Sequence, residues 1–209
     1  MIKLRLAAVA ALVLLPAAAA QAVTVQNAGF ETQGAGTSRT AVGWTQSQND
    51  GRDDAVMPWD APGPTEGSWL MRLNGGATAK PVVSQTVSGF EVGRTYKLSV
   101  DVGNYAARFG SDDGLNFAIE AEGLGLASAL FSKDDLGIGV ADSPMVTASL
   151  IFQADATDMT IRFRGQIEDD SSFVIDDVRI NAIPAPLAAP MLLSAFALAA
   201  AARRRVRQR

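Results

Sequence analysis

Almost all the side chains in this sequence that could do chemistry are carboxylates. Of its 209 residues 22 are Asp or Glu, and there is neither His nor Cys. Without His, Ser-His and Cys-His nucleophile pairs and the usual zinc sites are excluded, so any catalysis must run on carboxylates, Lys, Tyr or Ser. Asp176 lies in the apolar run Phe173-Val174-Ile175-Asp176-Asp177-Val178. A carboxylate among apolar neighbours is costly unless paired or coordinated, and either a hard cation or backbone N–H donors would satisfy it. Glu120 with Glu122, and Asp134 with Asp135, are paired carboxylates of the sort glycoside hydrolysis uses at about 5–10 Å. Among so many acids such pairs arise by chance, and no catalytic motif surrounds them. Asn49-Asp50-Gly51-Arg52-Asp53-Asp54 sets oxygen side chains around a glycine but lacks the spacing and distal Glu of a calcium loop, and reads as a solvated turn. A non-catalytic domain is expected.

The elements that must position these groups are short strands. Residues 95–102 alternate most cleanly, with Tyr96, Leu98, Val100 and Val102 on one face and Thr95, Lys97, Ser99 and Asp101 on the other. Similar patterns cover residues 23–27, 68–73, 81–87, 115–120, 145–152, 159–163 and 173–180, and Leu126, Leu130 and Phe131 suggest one more. In the last strand, period two places Asp176 on the face of Val174, Val178 and Ile180. Turns rich in Asp, Gly and Ser separate the strands, and no amphipathic helix stands out between them. Eight or nine such strands imply an all-β sandwich or barrel, and a two-sheet jelly-roll β-sandwich suits the length.

Both ends of the chain differ from this middle. Residues 1–22 carry Lys3 and Arg5, an apolar run and then Ala20-Gln21-Ala22, the pattern of a cleaved signal peptide. Residues 23–182 form one domain holding 11 basic against all 22 acidic residues, a net charge of −11 where the whole chain has −4. That charge disfavours nucleic acid and anionic headgroups and supplies oxygen ligands for calcium. With no disulfides, the domain must be held by its core, helped if need be by a metal. Residues 183–209 run from a proline-containing head (Ile183, Pro184, Ala185, Pro186) through an apolar stretch from Leu187 to a basic end that includes Arg203, Arg204 and Arg205. As a helix the 16 apolar residues 187–202 rise about 24 Å, short of a ~30 Å hydrocarbon core, so insertion in the inner membrane is either transient or a thinned, tilted span. The arginines would stay cytoplasmic and the domain outside.

Several fragments in order resemble the galactose-binding-like jelly rolls, among them families of carbohydrate-binding modules. These are Asn27-Ala28-Gly29-Phe30-Glu31, Gly43-Trp44, Glu66-Gly67-Ser68-Trp69-Leu70, Val83-Ser84-Gln85-Thr86-Val87, Gly93-Arg94-Thr95-Tyr96-Lys97-Leu98-Ser99 and the Phe173–Val178 run. The resemblance implies one structural calcium ion where the first strand's end meets the last strand, with Asp176, Glu31 and Glu66 as its side-chain ligands. It also implies sugar binding on aromatic platforms, for which Trp59, Tyr105 and Phe109 are the candidates, while Trp44 and Trp69 suit the core.

The tail resembles the PEP-CTERM sorting signals of Gram-negative bacteria, in particular the VPLPA-type variant, with Ala185 where the Pro-Glu-Pro form has Glu. That resemblance implies an exosortase-type membrane protease as processing partner, cleavage near the prolines, and release to the cell surface or outside. A plain C-terminal anchor is the alternative. Taken together, the sequence predicts an exported jelly roll that binds carbohydrate in an extracellular polysaccharide or matrix. A structural or adhesion protein without a small ligand, and a carboxylate-based hydrolase, are the other readings.

Overall fold

The alternating stretches pair into two antiparallel sheets. The computed structural model describes residues 23–34, 40–47, 55–57, 63–74, 80–104, 116–138, 144–165 and 172–184. In chain order its elements are β1 (Thr45–Gln46), β2 (Ala55–Met57), β3 (Leu70–Asn74), β4 (Val82–Ser88), β5 (Thr95–Asn104), β6 (Asn116–Glu122), β7 (Leu126–Ser132), α1 (Lys133–Leu136), β8 (Val146–Gln153), β9 (Asp158–Gly165) and β10 (Ser172–Ala182). The first sheet has the order β1-β4-β9-β6-β7 and the second β2-β3-β10-β5-β8. The fold is a jelly-roll β-sandwich.

The core lies between the sheets and is filled by the inward half of each alternation. Tyr96, Leu98, Val100 and Val102 of β5 are buried there, as are Phe117 and Ile119 of β6 and Ile161 and Phe163 of β9. Phe117 stacks between Phe131 and Phe173 at centroid distances of 5.4 and 5.1 Å. Next to β1, Trp44 packs against Phe30 at 5.2 Å and Phe163 at 6.1 Å, and its indole N–H donates to the Asn27 carbonyl. Trp69 is half-buried and packs against the same cluster.

Three expectations change. Residues 23–27 are not a strand: they run into a turn at residues 26–29, and Gln85 holds them by accepting from the Gln26 N–H and donating to the Gln26 carbonyl. Residues 133–136 form one helical turn, capped reciprocally by Ser132 and Asp135 and closed by the left-handed Gly137. Asp135 is thereby committed to a cap, and its hydrogen bonds from Ser132 lower its pKa.

The third change concerns β10, which does not keep period two. Its register with β5 shifts between Asp176 and Arg179, and Asp177 has φ +47°. Ahead of this bulge Phe173 and Ile175 enter the core, and Val174 and Asp176 face outward; beyond it Val178 enters the core and Ile180 packs against it. Asp176 therefore shares a face with Val174 but not with Val178 or Ile180, because one extra residue reverses the alternation.

Phe163 joins the aromatic cluster with no exposed surface. Phe163→Ala should cost about 3–5 kcal/mol, read as a lowered denaturation midpoint with an unchanged slope.

Candidate functional site

A buried carboxylate takes whatever donors the chain brings to it, and in this fold they come from one loop. Asp176 has 0% of its surface exposed. Its Oδ2 accepts from Thr65 N at 2.7 Å, Glu66 N at 2.9 Å and the Thr65 hydroxyl at 3.2 Å, and its Oδ1 accepts from Asp177 N at 2.8 Å. Glu31 Oε1 accepts from Ser68 N at 2.9 Å and Trp69 N at 2.8 Å. Residues 65–69 are thus clamped by two carboxylates from opposite ends of the domain. Two glycines let this happen. A Cβ on Gly29 would come within 2.7 Å of Glu66 Oε2, and one on Gly67, which has φ +61°, would collide with the Glu31 carboxylate.

Glu31, Glu66 and Asp176 therefore meet around a single loop. Among the described residues, however, no three His, Cys, Asp or Glu side chains gather closely enough to hold a metal ion. The oxygens of Asp176 and Glu31 are instead taken up by N–H and O–H donors. The hard-oxygen chemistry suits calcium, but with these oxygens taken up by N–H and O–H donors the arrangement does not form a cage for it.

Across the outer face of the second sheet, Asp176 lies directly opposite Asp101 in the β10–β5 register, which sets their Cβ atoms about 4.5–5.5 Å apart. Their surroundings differ. Asp101 accepts from the Thr147 hydroxyl at 2.6 Å and from Arg179 Nη2 at 2.7 Å, and Arg179 Nη1 also pairs with Asp177 at 2.8 Å. Asp176 faces neutral donors instead, and burial raises its pKa to about 6 against the opposing pull of the hydrogen bonds from Glu66, Asp177 and Thr65. On the same face as Asp176, Val174 and Leu70 form a small buried apolar cluster outside the main core, with Met145 packed against them. The two facing carboxyls thus have different partners, and Asp176 holds its proton to about pH 6, the kind of difference in environment that acid–base chemistry uses.

The first sheet carries a different polar array on its outer face. Thr45, Ser84, Arg162, Glu120 and Ser128 form one row across all five strands. Glu120 is 1% exposed. It accepts from Arg162 Nη1 at 3.0 Å and from Arg164 through Nε at 3.1 Å and through Nη2. Arg162 Nη2 reaches Glu122 at 2.7 Å, and the hydrogen bond to Glu120 raises the Arg162 pKa above its ordinary value. Glu120 and Glu122 are thus bound to arginines and not set across a cleft.

The other sequence candidates are distributed as follows. Trp59, Tyr105 and Phe109 lie outside the described residues, as do the signal peptide, the turn at residues 49–54, Ala185, Pro186, Leu187 and the arginines Arg203, Arg204 and Arg205. Ile183 and Pro184 follow β10, and Ile183 N donates to the Thr95 carbonyl at 2.8 Å. Among the described residues no helix is long and apolar enough to cross a membrane. Sequence reasoning missed Asp101, Thr147 and Arg179. Asp101 was legible as an outward position of its strand, but its facing Asp176 follows only from the register, and Arg179 reaches it only because of the bulge.

Comparison with known proteins gives this arrangement a setting. No curated protein matches the chain. A crystal structure of a cyclase from Fischerella sp. TAU, in complex with 4-(1H-indol-3-yl)butan-2-one, is similar with a TM-score of 0.59 and 18% identity, over 80% of this chain and 100% of that one. TmCBM61 in complex with β-1,4-galactotriose is similar with a TM-score of 0.52 and 14% identity, over 78% of this chain and 100% of that one. These likenesses agree with the jelly-roll fold expected from the sequence. The model of the HpiC1-like family, described as HpiC1 cyclase, matches residues 21–181. That match, with a cyclase among the similar structures, overturns the expectation of a non-catalytic domain, which rested on the absence of His and of a familiar catalytic motif. The chain belongs to the HpiC1-like family of cyclases.

Proposed function

We propose that the protein is an exported cyclase whose proton donor is Asp176. The observation that carries this reading is the pair across β10 and β5: a carboxyl that keeps its proton to about pH 6, facing an Asp101 that is bound to Arg179 and Thr147. Oδ2 of Asp176 already accepts three hydrogen bonds and Oδ1 one, so the transferable proton belongs on Oδ1. An indole-bearing compound of the kind bound by the Fischerella cyclase is the natural first probe. In the proposed step Asp176 gives its proton to an unsaturated carbon, the resulting cation closes the ring, and a proton lost from the ring returns to Asp176. The product is an isomer, so no oxidant or reductant is required.

Asp176→Asn should lower the rate of ring closure at least a hundredfold, followed by mass spectrometry of indole-bearing substrates and their products; undiminished turnover in this variant would overturn the reading. The wild-type rate should fall as pH rises through about 6, where Asp176 loses its proton.

The same group gives a stability signature. Its folded pKa lies above that of the unfolded chain, near 3.9, so between these values the folded state binds more protons and stability falls as pH rises. Melting curves from pH 4 to 7 should show this decline in the wild type and a flatter profile in Asp176→Asn.

A second reading is carbohydrate binding, favoured by the fold shared with TmCBM61 and by the polar row on the first sheet. Titration calorimetry with β-1,4-galactotriose should then give heat that Arg164→Ala weakens at least tenfold, and no heat at millimolar sugar would retire it. The ends complete the proposal: export behind residues 1–22, and a tail processed by an exosortase-type protease at the surface of a Gram-negative cell. The mass of the mature protein, with termini after Ala22 and near Pro184, would support both cleavages.

A further inference from the structure

We propose that the end of the sandwich from which the tail departs is a membrane-docking face, with Val92 and Leu124 as the side chains that enter the bilayer interface. The inference rests on the tail reading given above and is independent of the chemistry at Asp176. Ile183 N bonds to Thr95 O, so the chain leaves the domain beside the start of β5. Three connections meet at that end: residues 91–94 before β5, residues 123–125 between β6 and β7, and residues 154–157 between β8 and β9. They are bonded to one another. Gly93 N donates to Ala154 O at 2.7 Å and Ala154 N to Arg94 O at 2.9 Å. Asp155 accepts from Leu124 N at 3.0 Å and Gly125 N at 2.7 Å. A Cβ on Gly123 would collide with the Asp155 carboxylate, so glycine there permits the clamp.

Several polar groups of this end bond to one another. Glu91 pairs with Arg94 at 2.6 Å, and Gln153 donates to the Gly93 carbonyl at 2.7 Å. The loops also present large apolar side chains: Val92 is 64% and Leu124 89% exposed, and Leu126 at the start of β7 is 58% exposed. The position of the tail identifies the occupant. Leu187, the first residue of the apolar run, is three residues beyond Pro184, and three residues span at most about 11 Å. Once that run enters a bilayer, this end of the domain is held at its surface, and the exposed apolar tips face the interface. Apolar tips, not charge, make the contact, which fits a domain whose net charge repels anionic headgroups.

The chain has no cysteine, so single thiols can be placed for an environment-sensitive fluorophore. Leu124→Cys and Val92→Cys probe the docking end, and Asp134→Cys on α1 probes the opposite one, since the seven residues of β7 carry the chain about 20 Å from Leu126 to Ser132. Full-length protein in phosphatidylethanolamine–phosphatidylglycerol vesicles with doxyl-labelled lipid should show at least threefold stronger quenching at positions 92 and 124 than at 134. Leu124→Asp should halve the quenching of a label at 92 without altering flotation of the protein with the vesicles. Flotation with equal, weak quenching at all three positions would overturn the docking face and leave the tail reading standing. Failure to float would remove the tail reading and the docking face together, while leaving the assignment of Asp176 untouched.

Discussion

One residue of β10 sets the phase of the strand on which both the core and the proposed site depend. Had the alternation continued past Ile175, Asp177 and Arg179 would point between the sheets, where two unpartnered charges would be very costly. The left-handed backbone of Asp177 inserts the extra residue that turns them outward and brings Val178 in. Asp is among the few side chains that tolerate this conformation. The same irregularity frees Val178 N from the ladder to bond with the Ala28 carbonyl, fastening the first described segment to the last strand. Asp176, immediately before the bulge, is left facing out over β5 with Asp101 opposite.

Burial then does chemical work. Thr65, Glu66 and Asp177 satisfy the Asp176 carboxylate geometrically, yet none of these donors is a cation, so desolvation still favours its protonated form. Glu120, equally buried, is met by two arginines. The two sheets thus treat a buried acid in opposite ways: an ion-paired lattice on one outer face, and a proton-holding carboxyl on the other. The contrast follows from the partners alone: cations hold one acid ionised, and neutral donors leave the other free to keep its proton.

The fold was largely legible in the sequence. Alternation located β4 to β10 to within a few residues because each strand has one buried and one open face, which period two records directly. The two-residue β1 and three-residue β2 escaped, since segments so short carry no periodic signal. Residues 23–27 alternate like a strand but bond to the Gln85 side chain, and no local pattern could show that. The corner of Glu31, Glu66 and Asp176 was found through resemblance and order of motifs, but the Asp101 pairing was not, because cross-strand register is a property of two distant segments together. The bulge defeated the face assignment for the same reason: nothing in Ile175-Asp176-Asp177-Val178 read alone distinguishes a continuous strand from one that slips a residue.

The bond between Ala28 and Val178 also bears on when, as the chain is delivered, the domain can close. β10 is the central partner of β3 and β5, so the second sheet is incomplete until the last strand of the domain is present. A chain emerging from its N-terminus can form hairpins such as β6–β7 early, but its ends can be joined only after nearly the whole domain has been delivered. Under the export proposed above, late closure of this kind would keep the polypeptide threadable until nearly the whole domain had been delivered.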